Sequence, residues 1–555
     1  MNYKDEYNRW LQNVRDPQLM EELRAMDADA IEDAFYQDLS FGTGGLRGIL
    51  GAGTNRMNVH VVSRASQGLS DYLKQGDPSP SVVIGYDSRI NSDVFARAAA
   101  GVFAANGITV HIWSRLLPVP TVSFAVRALG ASAGVMITAS HNPSQYNGYK
   151  VYGPDGCQIT AAAAASILAR INALDIFDDV CVSDYGEALE AGRIRPVDEA
   201  VLTRYIEAVK GQSVLFGDAV DREVAIVYTP LNGTGLEPVT RALAESGFTN
   251  VSIVAEQREP DGRFPTCPYP NPEIPEAMAL GLDSCRCTGA DLLLATDPDC
   301  DRCGIAVKTR TGDYRLLSGN EVGLLLLDYI CSQRMAHGRM PARPVFVKTI
   351  VTMDLAEKIA AHYGVQTVNV LTGFKYIGEV IGHLEAEGRA EDYICGFEES
   401  YGYLTGAYVR DKDGVNAAFM ICEMFALYRT RGTSLPERLE ALYAAHGYCL
   451  NTLHSYVFRG SAGMARMAAL MQGFREDTQG IGGQKVLRTE DYSAGLNGLP
   501  RADVLKFYTD CGSVVIRPSG TEPKLKAYIS VCAPDRASAE KVEQRMASDL
   551  EARLK

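Results

Sequence analysis

Apolar and polar positions alternate along this chain in an order that occurs three times: a short β-rich run, a polar loop, a stretch with helical spacing of apolar residues, a glycine-bearing turn and a second β-rich run. The three stretches are SVVIGYDSRINSDVFARAAAGVFAANGITVHIW from Ser81, VAIVYTPLNGTGLEPVTRALAESGFTNVSIV from Val224 and PVFVKTIVTMDLAEKIAAHYGVQTVNV from Pro344. In each, the two β-rich runs lie roughly 30 residues apart, the span of a β-α-β unit. Such units call for a mostly parallel sheet with helices over both faces. After Tyr448 the order changes to a strand-like NTLHSYVF, a helix near Ala462 to Phe474, the runs SVVIRPSG and KLKAYISVCA, and a closing helix from Arg536. That order predicts antiparallel pairing. The pattern therefore predicts an α/β protein of four domains. Three related α/β domains with mixed, mostly parallel sheets occupy residues 1–205, 206–315 and 316–445, and an α+β domain occupies 446–555. The charged segment before Phe41 reads as helical arms over the first domain.

Composition narrows the function classes. A length of 555 residues exceeds what one hydrophobic core supports, in keeping with several domains. Acidic residues outnumber basic ones, 68 to 54, for a formal net charge of -14. That balance argues against nucleic acid or an anionic membrane as partner, so an anionic ligand has to be met by local basic clusters. No apolar run approaches a bilayer span, and Met1 to Arg15 is polar rather than signal-like, which makes the cytoplasm the expected location. Thirteen cysteines run from Cys157 to Cys532, and the close pair Cys285 and Cys287 lacks the second half of a zinc site. They are expected to be reduced, mostly buried thiols.

Four segments carry candidate chemistry. In GVMITASHNPSQYNGYKVYGPDGCQIT an apolar strand, Gly134 to Thr138, breaks into a polar loop with Ser140, His141 beside it, and Lys150 across a turn at Asn147 and Gly148. Loops at strand carboxyl ends are where α/β sheets bind ligands, although taken alone this one is equally an ordinary turn. In ADLLLATDPDCDRCGIAV the strand Leu292 to Leu294 leads to Asp297, Asp299 and Asp301 at alternate positions. Pro298 keeps the loop out of helix, so the three carboxylates converge unless they form a solvated acidic turn. An all-oxygen set of that kind suits Mg²⁺. CGFEESYGY places Glu398, Glu399 and Ser400 after another strand, as acceptors for sugar hydroxyls or as a solvated charge pair. VVIRPSGTEPKLKAYI joins two strands through Arg517, Ser519, Gly520 and Thr521, a fork and a set of donors suited to a phosphate dianion, against a plain hairpin turn. There is no Walker sequence, no nucleotide-binding glycine spacing and no GxSxG elbow, which leaves ATP without support as a donor.

Together the four segments resemble the α-D-phosphohexomutase superfamily, with TASHNPSQYNGYK as its phosphoserine loop, DPDCDR as its metal loop, GFEES as its sugar loop and RPSGTEPK as its phosphate loop. FGTGGLRG from Phe41, DGRFPTCPYPNPE, LLSGNEVG and LTGFKYIG extend the similarity over nearly the whole chain. Within the superfamily the chain is most similar to the bacterial phosphoglucomutase group related to the phosphoglucomutase-2 and phosphopentomutase branch. The resemblance implies four domains around a central cleft and an isomerase that interconverts glucose 1-phosphate and glucose 6-phosphate. It implies a phosphoserine enzyme with glucose 1,6-bisphosphate as intermediate and activator; pentose or mannose phosphates handled by the same mechanism are the alternative. Carried over by position, Ser140 bears the phosphoryl group, and one Mg²⁺ is held by Asp297, Asp299, Asp301 and an oxygen on Ser140. Arg47 and Lys150 stabilise charge, His141 flanks the phosphoserine, and Lys412 in VRDKDG acts as general acid/base. Glu398, Ser400 and Lys375 contact the sugar phosphate, and Arg517, Ser519, Gly520 and Thr521 hold the phosphate that is not reacting. Cys300 departs from the usual Ala or Gly of the metal loop, where only its backbone is expected to matter. Small sugar phosphates are the expected partners, and the chain is expected to be a monomer or weak homodimer.

Overall fold

Each of the three repeated stretches folds as a parallel β-α-β unit. Ser81–Tyr86 pairs with Thr109–Ile112 across the helix Ser92–Ala105, Ile226–Thr229 with Val251–Ile253 across Leu236–Glu245, and Val345–Thr349 with Gln366–Val370 across Leu355–His362. The computed structural model describes residues 2–42, 44–458, 460–476, 478–519 and 524–554.

Four main sheets follow one another along the chain. The first has the strand order Phe41–Gly42, Gly45–Ile49, Tyr146–Tyr152, Ala133–Ile137, Ser81–Tyr86, Thr109–Ile112, Ile194–Pro196. The second runs Tyr314–Leu317, Cys303–Lys308, Leu292–Thr296, Ile226–Thr229, Val251–Ile253, and the third Gln366–Val370, Val345–Thr349, Tyr393–Phe397, Tyr403–Thr405. In all three, parallel pairing turns antiparallel on one side of the strand that precedes a chemistry-bearing loop. A hairpin needs only a short connection where a parallel crossover needs a dozen residues or more, so the loop stays short and its ends stay fixed. The fourth sheet, Tyr448–Val457, Lys524–Ala533, Gly512–Pro518, Leu505–Thr509 and Arg488–Asp491, is antiparallel throughout. The strands at Leu505–Thr509 and Arg488–Asp491 were not evident from the sequence pattern.

One hydrophobic core runs without a break through the first three sheets, joining Trp113, Val122 and Tyr205 to Leu243 and Leu294 and on to Leu325, Phe346 and Phe397. The fourth sheet has its own core, around Met471, Phe507, Ile516 and Met546. It meets the third through a small apolar seam of Ile350, Val351 and Leu371 against Tyr492, Val504, Val515 and Tyr528. Beside that seam Asp354 receives Lys348 Nζ at 3.2 Å, Lys506 Nζ at 3.1 Å and Ser513 Oγ at 2.7 Å. Burial opposes its ionisation, but the two ammonium groups outweigh burial and hold the carboxyl below its usual range. Among the described residues no helix is long and apolar enough to cross a membrane.

The segment before Phe41 forms three helices, Tyr3–Asn13, Pro17–Ala25 and Ala28–Phe35, each started by a side-chain cap from Asn2, Asp16 or Asp27. They dock on the first domain through Trp10, fully buried and edge-on to Phe35, His60 and Phe177. Trp10→Ala is expected to remove about 3–5 kcal/mol of packing and to expose the segment before Phe41 to limited proteolysis that spares the parent chain.

Candidate active site

Each candidate loop is the connection of a β-hairpin. Residues 138–145 link Ala133–Ile137 to Tyr146–Tyr152, 297–302 link Leu292–Thr296 to Cys303–Lys308, and 398–402 link Tyr393–Phe397 to Tyr403–Thr405. The fourth loop follows Gly512–Pro518 and ends at Lys524, with Pro518 opposite Leu525. Gly520 and Thr521 lie outside the described residues. The first three loops each turn on one non-glycine residue in left-handed backbone: Ser140 at φ 54°, Cys300 at φ 51° and Tyr401 at φ 66°. That conformation costs about 1–2 kcal/mol per residue, and the flanking hairpin pairing offsets it. Cys300 holds its left-handed backbone with its side chain fully buried.

The first two loops meet across the domain boundary. Ser140 Oγ donates to Asp297 Oδ2 at 2.9 Å and lies 3.1 Å from His141 Nδ1. Thr138 ties the loops together, since its Oγ1 accepts the Ser140 N–H at 2.8 Å and donates to Asp299 Oδ2 at 3.1 Å. Lys150 Nζ lies 2.8 Å from Asp299 Oδ2 and 3.4 Å from Asp301 Oδ2. From the third domain, Lys412 Nζ lies 3.1 Å from Asp301 Oδ2 and 3.1 Å from Asp411 Oδ1. The metal loop is braced from behind by Gly233, whose bare Cα sits so close to Pro298 that a Cβ would fall 2.4 Å from the proline Cα.

The three carboxylates fit a hard divalent cation. They are buried, each offers an oxygen within 4.8 Å of the others, and Oδ1 of Asp299 and of Asp301 receives no hydrogen bond among the described residues. Burial pushes Asp297 well above the usual carboxylate range, and the charges of Asp299 and Asp301 push it further. Burial acts on Asp301 too, but Lys412, Lys150 and Arg302 overcome it and keep that group ionised. Oxygen-only donors, two of them without hydrogen-bond donors, in a cluster whose negative charges repel one another, are what Mg²⁺ coordinates.

The remaining predicted residues are placed around this centre. Arg47 lies on the strand opposite Gly148 and donates to Asn142 Oδ1 at 3.2 Å within the serine loop. His141 is half-buried, and desolvation with the nearby Arg302 and Arg47 holds its imidazole well below its usual pKa. Glu398 accepts the Gly373 N–H at 2.9 Å, and Ser400 is half-buried in the same turn. Burial, then the neighbouring Glu398, pushes Glu399 up to about 7, while the charge of Arg517 in the fourth domain pulls it down. Lys375 stands half-buried in the first turn of the helix Phe374–Ala386, its pKa lowered by burial. Arg517 Nη2 donates to Tyr528 Oη at 3.1 Å, and Ser519 N–H to Lys524 O at 2.8 Å.

Two supporting residues escaped the sequence reading. Arg89 is buried beneath the serine loop, where its guanidinium donates to the carbonyls of Ser140 at 2.5 Å, Pro143 at 2.9 Å, Tyr146 at 3.0 Å and also Asn142. Asp87, 3.5 Å away, balances its charge. The available signal was the pair of charges in YDSR directly after a buried strand, read only as a polar loop. Asp411 holds Lys412 and is itself fixed from the first domain by Tyr152 Oη at 2.9 Å and Gln158 Nε2 at 3.2 Å. Arg89→Lys keeps a cation that cannot span four carbonyls. It is expected to lose about 3 kcal/mol of hydrogen bonding and to speed amide exchange in residues 139–146 roughly 100-fold, as read by native-state hydrogen exchange.

Four profiles of one family match the chain in order: phosphoglucomutase/phosphomannomutase alpha/beta/alpha domain I at residues 38–176, domain II at 203–312, domain III at 318–446 and the C-terminal domain at 465–548. The phosphoglucomutase of Staphylococcus saprophyticus is 35% identical over 534 residues, covering 94% of this chain and 96% of its own. That of Staphylococcus epidermidis is 36% identical over 537 residues with the same coverage. A phosphoglucomutase/phosphomannomutase family protein from Burkholderia thailandensis shares the fold, with a TM-score of 0.68 at 19% identity over 92% of this chain and 97% of that one. The serine, the aspartate trio, Glu398 and Arg517 fall one to each matched segment, and on that full-length agreement the chain belongs to the phosphoglucomutase/phosphomannomutase family.

Proposed function

We propose that the chain interconverts α-D-glucose 1-phosphate and glucose 6-phosphate, as an isomerase that transfers a phosphoryl group through phosphorylated Ser140 and a glucose 1,6-bisphosphate intermediate. The observation that carries this reading is the 2.9 Å contact between Ser140 Oγ of the first domain and Asp297 Oδ2 of the second, flanked by two lysines, in a chain that staphylococcal phosphoglucomutases match over 94% of its length.

Phosphoryl transfer asks the protein for position and neutral surroundings more than for covalent chemistry. One Mg²⁺, held by Asp297, Asp299, Asp301 and an oxygen on Ser140, would neutralise charge on the transferring group. Lys150 and Arg47 add positive charge on either side of the serine. Lys412, fixed by Asp411, exchanges a proton with the sugar oxygen that gains or loses the phosphoryl group. Glu398, Ser400 and Lys375 orient the sugar, and Arg517 and Ser519 with Gly520 and Thr521 grip the distal phosphate. In the forward direction phospho-Ser140 gives its group to the 6-oxygen of glucose 1-phosphate. The bisphosphate turns end for end, and Ser140 Oγ takes back the phosphoryl group from the 1-oxygen, which regenerates the phosphoserine. His141, at 3.1 Å, keeps the serine oxygen oriented. We place the enzyme in the cytoplasm, as a monomer or weak homodimer, with domains that divide near residues 205, 315 and 445.

Ser140→Ala is expected to keep its fold by circular dichroism and to lose mutase turnover to background in a coupled assay with a trace of glucose 1,6-bisphosphate; retained turnover overturns the role. Asp299→Asn is expected to raise the Mg²⁺ concentration for half-maximal activity at least tenfold, on the order of what loss of a ligand contact costs a metal site. Comparing glucose 1-phosphate with ribose 1-phosphate and mannose 1-phosphate in the same assay tests the sugar, with glucose expected to have the highest kcat/KM.

A further inference from the structure

In the fourth sheet Cys449 and Cys532 are direct cross-strand partners, with their Sγ atoms 3.2 Å apart. Antiparallel partners hold their Cα atoms about 4.5–5.5 Å apart, inside the roughly 4.4–6.8 Å that a disulfide spans. Bonding therefore needs the sulfurs to approach by about 1 Å and leaves the strands where they are. The two thiols differ in access: Cys449 is 1% exposed, whereas Cys532 is half-buried at the sheet surface. Cys181 and Cys287 are more exposed.

The surroundings sort the pair into an attacking and a resolving sulfur. The contact with Cys449 favours the thiolate of Cys532, burial opposes it, and Lys358 of the third domain favours it again. Lys358 is anchored there by donating to His446 O at 3.2 Å, at the point where the chain leaves the helix Leu435–His446 for the strand that carries Cys449. Cys532 N–H donates to Cys511 O at 2.6 Å, and a third thiol thus lies at the adjacent hairpin turn.

We propose that Cys449 and Cys532 form a redox modification site, a dithiol that hydrogen peroxide converts to an intramolecular disulfide. The Cys532 thiolate attacks one peroxide oxygen, so that an S–O bond forms, the O–O bond breaks and hydroxide leaves as water after protonation. The Cys449 thiol then gives up its proton, its sulfur attacks that of Cys532, the S–O bond breaks and a second water leaves. Two thiols lose two electrons in all, and one peroxide becomes two waters. A dithiol reductant reverses the change by exchange.

The test treats the reduced full-length protein with a few equivalents of hydrogen peroxide, alkylates the remaining thiols after denaturation and maps the peptides by mass spectrometry. A linked Cys449–Cys532 peptide is expected, restored to two thiols by dithiothreitol, with Cys532 consumed about tenfold faster than Cys181 or Cys287. Cys511→Ser is expected to leave the link in place, and Cys449→Ser to leave a sulfenic acid on Cys532 that dimedone traps. A Cys511–Cys532 link, earlier loss of Cys181 and Cys287, or direct passage of Cys532 to sulfinic acid in the parent chain overturns the proposal.

Discussion

Three carboxylates shielded from water and within 4.8 Å of one another repel strongly, and everything around Asp297, Asp299 and Asp301 answers that repulsion. Lysines reach them from two other domains, Lys150 from the first and Lys412 from the third. The serine hydroxyl donates into the same cluster, and two oxygens remain for a cation. Because the neutralising groups come from separate domains, the electrostatics of the centre also hold the domains together. The first three domains share one core, which gives that requirement a rigid frame.

The hairpin form of the loops follows from the same need. A loop that leaves a parallel strand for a distant helix is anchored at one end, whereas a hairpin loop is hydrogen-bonded to the sheet at both. The pairs Ile137 with Tyr149, Thr296 with Cys303 and Phe397 with Tyr403 close the three loops at their bases. Short closed loops can then hold residues such as Ser140 and Cys300 in left-handed backbone without any glycine. Beneath the first of them Arg89 replaces with one side chain the backbone bonds that the loop cannot make itself.

Much of this was legible in the sequence because the signals are local. The β-α-β units show as changes in apolar period within some thirty residues, and the aspartates show because Pro298 and the preceding strand bring them together over five positions. What stayed hidden depends on neighbours far apart in the chain. Arg89 gains its meaning from carbonyls more than fifty residues away, and Asp411 from Tyr152 and Gln158 of another domain. Cys449 and Cys532 are separated by most of the fourth domain and become partners only through strand register, which no single-chain pattern specifies. The antiparallel flanks were equally hard to read, since a buried strand has the same apolar run whichever way its neighbour points.

The fourth domain keeps a core of its own and touches the third through a narrow seam. Tolerances within the molecule are therefore unequal. Around Ser140 the frame shares one interior with the next two domains, while Arg517 rides on a body joined to the third by one chain crossing, a small apolar seam and the Asp354 cluster. The turn of the bisphosphate in the mechanism proposed above draws on that inequality: one interior shared by three domains at one end and a separately packed body at the other.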